Sequence, residues 1–134
     1  MRNIKFRGKT AQGSWLYGDL RLRADRASIV CRVFDEGKIY YKEFAVIPET
    51  VGQFTGLHDK DGREIYEGDI IVSEGYSHAR HYVSYHEDEA MFVAMIIGSP
   101  LMEYCAIRQS WIDKFDKKII GNIYDDRKLL GKIN

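Results

Sequence analysis

Punctuation constrains this chain more than any other feature. Turn signals centred on glycine or aspartate cut it into runs too short and too regularly alternating for helices. Gly8 and Gly13 bracket the first break and Asp35-Glu36-Gly37 forms the second. Asp59-Lys60-Asp61-Gly62, Glu67-Gly68-Asp69 and Gly98-Ser99-Pro100 follow. Glycine accepts positive φ at little steric cost, and aspartate hydrogen-bonds its own backbone, so each group predicts a reversal of the chain. The runs between them alternate. Ile4 and Phe6 are interleaved with Lys5 and Arg7, SWLYGDLRLR (14–23) forms the second arm of a hairpin, and 28–47 repeats the plan up to Pro48, which lacks a ladder donor. Residues 49–54 read as a connector or a short helical turn. From 70 to 124 five more runs follow: IIVSE, HYVSYH, MFVAMII, LMEYCAI and KKIIGNIY. That spacing predicts a small barrel. Helix signals are confined to a turn opening at Ser110 and another over 125–130. The expected fold is mainly β, with an N-terminal β-hairpin region at 1–50, a barrel at 51–134 and one or two short helices, the two parts forming one coupled unit.

The bulk properties fit a soluble globular protein. Hydrophobic residues make up 45% of the 134 and charged residues 30%, a balance that builds a core without staples. No apolar run approaches the roughly 20 residues that cross a bilayer. MRNIKFRGKT carries no apolar segment behind its charges, so neither a secretory signal nor a membrane partner is expected. Cys31 and Cys105 then read as reduced thiols of a cytosolic protein. Twenty basic and twenty acidic side chains cancel, but unevenly. Residues 1–50 hold ten basic and six acidic side chains; the rest holds ten and fourteen. A neutral chain weakens the case for phosphate-backbone binding, which needs a strong basic surface.

Three constellations invite chemistry. The acids Asp59, Asp61, Glu64, Glu67 and Asp69 suggest a calcium loop. With Gly62 at that motif's glycine position, Leu57 falls on the first ligand and Gly68 on the last; with Asp59 first, Arg63 and Ile70 fall on ligand positions. Neither register works. Asp59, Asp61, Gly62, Gly68 and Asp69 are therefore read as structural turn residues, with Leu57, Ile65 and Tyr66 packing. His78, His81 and His86 suggest zinc, but His81 and His86 point to opposite faces of a strand and no set of three or four ligands forms. A surface or loop role is expected for them. Ser73, Ser77, Ser84, Ser99 and Ser110 lack a nucleophile elbow, and no phosphate-binding or dinucleotide loop occurs. No catalytic residue, metal or cofactor is assigned. The remaining signal is basic and aromatic: Lys5, Arg7 and Lys9 on one strand face, with Trp15, Tyr17, Arg21 and Arg23 on the partner strand and Tyr40 and Tyr41 in the same region. Aromatics flanked by cations stack bases and hold phosphates. The competing reading is a charged edge strand that resists aggregation, with the aromatics in the core.

IKFRGK (4–9), WLYGDL (15–20), ETVGQFTGLHDKDGREIYEGDII (49–71) and IIGNIYDD with its following Leu-Leu (119–130) together resemble the YopX-like family of bacteriophage and prophage proteins. The central block is the most specific; 21–45 and 72–118 match less well. The resemblance implies a mostly β fold with an SH3-like C-terminal barrel and an N-terminal β elaboration. It also implies a phage or prophage gene acting in the cytoplasm of a bacterial host, and it brings no established activity. The expected role is a non-catalytic binding or regulatory module for a host or phage protein, compatible with homo-oligomers. A nucleic-acid-binding module using the basic N-terminal face is the alternative, and an enzyme acting on nucleic acid or nucleotides a weaker third.

Overall fold

Eleven strands and one helix run through the computed structural model, which describes residues 1–75 and 77–131, with only the backbone of Ser77 and His78. The chain divides into two units, Met1–Phe54 and Thr55–Asn134. The fold is mainly β, as the alternating runs predict.

The first unit is an antiparallel meander ordered β4-β3-β2-β1. It comprises β1 (Phe6–Lys9), β2 (Trp15–Arg23), β3 (Arg26–Asp35) and β4 (Lys38–Val46), followed by a 3-10 turn at Pro48–Thr50. On its other side β1 pairs with Gly52 and Gln53, the first residues of β5 (Gly52–His58). The β3–β4 hairpin closes on the pair Asp35↔Lys38, leaving Glu36 and Gly37 as a two-residue loop. Both have positive φ (49° and 76°), which matches the right-handed twist of the flanking strands. The pleat sends alternate residues to opposite faces. One face gathers Ala27, Ile29 and Val46, packed by Phe6, Leu16, Leu20, Cys31 and Val51. At Gly18 the strands approach so closely that an added Cβ would lie 2.2 Å from the Val30 carbonyl oxygen.

In the second unit the rest of β5 neighbours β6 (Glu64–Tyr66), and the Thr55 hydroxyl donates to the Ile65 carbonyl at 2.8 Å. The strands β7 (Asp69–Ser73), β8 (Ser77–His86), β9 (Met91–Ile96), β10 (Tyr104–Ala106) and β11 (Lys117–Asn122) form an antiparallel sheet ordered β10-β9-β8-β7-β11. Helix α1 (Gln109–Lys114) lies between β10 and β11 in the chain. Ile65, Ile71, Val83 and Ile112 make the core, joined by Leu57, Ile107, Trp111 and Ile119. Gln109 fastens the helix to the end of β5: its amide nitrogen donates to the His58 carbonyl and its oxygen accepts the His58 N–H.

Two expectations change. Among the described residues the sheets are open: β10 and β11 are edges of the five-stranded sheet and do not pair with each other. The second is the span 49–54, read as a connector or a short helical turn: a 3-10 turn does occupy Pro48–Thr50, but strand β5 already begins at Gly52. Gly52 and Gly56 dilute its alternation, so the ladder to β1, rather than side-chain pattern, defines it.

Candidate functional site

Ladder pairing places Arg7 and Lys9 of β1 on the same sheet face as Trp15, Tyr17, Arg21 and Arg23 of β2, the face opposite the core. The cations are nevertheless engaged within the protein. Arg7 is buried, at 5% exposure, and its guanidinium stacks 4.7 Å from the Trp15 ring centre. Lys9 lies 6.0 Å from the same ring, and Lys5 lies 5.4 Å from the Phe54 ring. The expected alternation holds at Phe6, which packs on the core, but the basic outer face is partly covered and Ile4 lies outside the strand, 53% exposed. A planar guanidinium is weakly hydrated and stacks well on an indole, which makes its burial tolerable. Tyr17 is exposed and Trp15 half-buried. Further along β2, Arg21 and Arg23 both bind Glu43 of β4, Arg21 at 3.0 Å. Hydrogen bonding from Arg23 holds the Glu43 carboxyl at about 2, far below its usual 4.5.

Within the acidic stretch 59–69, Asp59 and Asp69 bind the backbone. Asp59 is buried and accepts from the N–H groups of Asp61 and Arg63 at 2.9 Å and of Ile119 at 3.0 Å, and from Arg63 Nε at 3.0 Å. Burial alone would raise its carboxyl, but these donors together lower it. Asp69, also buried, accepts the Tyr66 N–H at 2.7 Å. Gly62 and Gly68 have φ of 82° and 92°. Asp61 is exposed, 3.9 Å from Arg63. These side chains hold a turn against β11.

His81 corrects a further expectation. It is buried, not at the surface, and meets Trp111 edge-on with ring centres 5.3 Å apart. Strand pairing puts His81, Val83, Ile71, Ile119 and Cys105 on one face of the sheet, and α1 contributes the covering Trp111. Lys117, likewise buried, lies with its ammonium 4.4 Å over the same indole. Burial pushes His81 down to about 4, with Lys117 adding repulsion; burial also lowers Lys117 and raises the Cys105 thiol. A raised thiol value makes Cys105 a weaker nucleophile than a free cysteine. Sequence reasoning missed Lys117 because only its ladder partner Ser73 and the covering helix turn it inward. The side chain of His78 lies outside the described residues. His86 is tilted against Tyr104 at 4.7 Å. Among the described residues no three of His, Cys, Asp and Glu converge as metal ligands.

A run of exposed apolar side chains lies on the β3–β4 hairpin. Every residue of β4 from Lys38 to Ala45 is exposed. Phe34 and Tyr41 reach 66% and 65%, and Ile39, Tyr40 and Phe44 are exposed too. Parity places Phe34, Ile39 and Tyr41 on one face and Tyr40 and Phe44 on the other. β4 is an outer strand of its sheet. Beside its C-terminal end opens a cleft of about 480 Å³, lined among others by Arg23, Arg26, Ser28, Glu43, Ala45 and Pro48.

Open antiparallel sheets, a long aromatic edge strand and aspartates bound into turns define a small mainly-β protein. It belongs to the YopX family: the family model, described as YopX protein, matches residues 5–131. Its fold is similar to that in the crystal structure of protein EF1440 from Enterococcus faecalis, with a TM-score of 0.64 and 25% identity over 98% of this chain and 100% of the other. No curated protein matches the sequence. Among the described residues no helix is long and apolar enough to cross a membrane.

Proposed function

We propose that the protein is a non-catalytic binding module that captures a protein partner along β4. The observation that carries this reading is an exposed outer strand bearing Ile39, Tyr40, Tyr41 and Phe44, with Phe34 beside it. A free strand edge offers backbone donors and acceptors to an added strand, and alternate side chains select what is added. Aromatic residues are also what interfaces enrich at their anchoring points. A phage or host protein in a bacterial cytoplasm is the partner class, a choice that rests on the family resemblance. The SH3-like reading of the second unit draws on its five short antiparallel strands, although a closed barrel is not required for binding at β4. Nucleic-acid binding by the N-terminal face draws less support, because Arg7 is buried on Trp15 and Glu43 engages Arg21 and Arg23.

The test is crosslinked capture from a bacterial host with the wild type and with the Phe34→Ser/Tyr41→Ser double variant. A partner retained by the wild type and lost by a variant of unchanged melting temperature supports the reading. Capture that ignores the double variant overturns it. So does micromolar oligonucleotide binding at about 150 mM salt that Arg7→Glu/Arg21→Glu abolishes.

A further inference from the structure

We infer that the segment added to β4 is acidic and seats a carboxylate in the cleft beside Glu43. The inference rests on strand addition at β4 and names the chemistry of what is added. The cleft and the strand are linked by position, since Glu43, Ala45 and Val46 of β4 all line the cleft. A chain running along β4 therefore passes its mouth.

Charge decides what enters. Glu43 is held between Arg21 and Arg23, so one carboxylate answers two guanidiniums. Arg26, the ladder partner of Arg23, has no carboxylate partner among the described residues, and Asp25 is the second acid lining the cleft. Three guanidiniums thus meet two carboxylates at this end of the hairpin. Lys38 and Lys42 add positive charge along β4 on the face opposite Glu43, with no ion pair among the described residues, offset in part by Glu36 in the hairpin loop. Near the hairpin tip, Asp35 is occupied by the Tyr40 hydroxyl at 3.2 Å. The cleft is apolar at Ala27, Ala45, Val46 and Pro48. Such walls accept the methylene stem of a glutamate while its head reaches Arg26 and Arg23. A guanidinium binds a carboxylate in a planar, two-bond geometry that neither a neutral amide nor an ammonium reproduces.

The experiment uses the full chain and three labelled peptides, alternating Val-Glu, Val-Gln or Val-Lys, each long enough to span β4, followed by fluorescence anisotropy. The Val-Glu peptide is expected to bind about tenfold tighter than Val-Gln, the effect of one charge-assisted pair, with Val-Lys weakest. Arg26→Gln should bring Val-Glu to the level of Val-Gln, while Tyr41→Ser should weaken Val-Glu and Val-Gln alike. Equal binding of all three, weakened by Tyr41→Ser, overturns the acidic preference and leaves strand addition standing. An acidic preference that survives Arg26→Gln overturns the assignment to the cleft. Binding of none of the peptides overturns both.

Discussion

Gly18 and Gly62 are both glycines in a β protein, yet they are needed for different reasons. At Gly62 nothing lies within 4 Å of an added Cβ, so the constraint is its φ of 82° alone. Gly62→Val should cost roughly 1–3 kcal/mol, while Gly62→Asn should recover most of it, because asparagine tolerates the left-handed region. Equal loss in both variants by denaturant unfolding would show that the side chain, not the backbone, is disfavoured. At Gly18 the obstacle is the Val30 carbonyl oxygen, and a ladder strand does not yield as a side chain does. Gly18→Ala should therefore destabilise by about 1–3 kcal/mol; a wild-type denaturation midpoint would refute the close approach. The first glycine was legible in the sequence, because Asp59-Lys60-Asp61-Gly62 announces a turn locally. The second was not, because its demand comes from another strand. His81 falls between the two cases. Its parity could be read from the run 81–86, but nothing local says that α1 covers that parity with Trp111.

Elements were legible where alternation or turn chemistry was strong. The β3–β4 hairpin follows from Asp35-Glu36-Gly37, β7 from the apolar run after Glu67-Gly68-Asp69, and the helix near Ser110 from its single apolar turn. Sheet closure was not legible, because strand spacing is the same in an open sheet and a barrel; the pairing β7–β11 and the unpaired edges distinguish them. The basic face was legible as a set of residues but not as a state, since the sequence does not show Trp15 over Arg7 or Glu43 between two arginines. At this scale the hairpin makes its own prediction. Phe34 and Tyr41 are about two-thirds exposed, and the Arg32 guanidinium 5.5 Å from the Phe34 ring is an exposed contact of small worth, so Phe34→Ser and Tyr41→Ser should each change stability by no more than about 0.5 kcal/mol. Thermal unfolding of the two variants checks this. A loss several times larger would mean that the side chains support the fold, and that their exposure is no sign of a partner.

Acid acts on the whole molecule in one direction. Glu43, held by Arg23, and Glu74, held by Lys118 and Lys60, both lie at about 2 in the folded protein against 4.5 ordinarily, and Asp59 is also lowered. Their contributions are complete above about pH 4.5 and are lost as pH falls toward 2. His81 lies at about 4 against 6.5, because burial penalises its charged form. A base whose folded value is depressed binds more protons when unfolded, so its contribution is complete above about pH 6.5 and is lost as pH falls through 4. The two groups respond differently to salt. Glu43 and Glu74 are surface ion pairs and are screened, whereas His81 is sealed under Trp111. Stability should therefore begin to fall near pH 6.5, in a limb on the order of 3 kcal/mol at most that high salt leaves in place. A steeper limb should follow below pH 4.5, and high salt should flatten it. His81→Phe keeps an aromatic ring against Trp111 while removing the titrating nitrogen, so it should erase the first limb alone. Denaturant midpoints for wild type and His81→Phe, taken from pH 7.5 to 3 at low and high salt, decide the matter. A first limb that persists in His81→Phe would place the titrating group elsewhere.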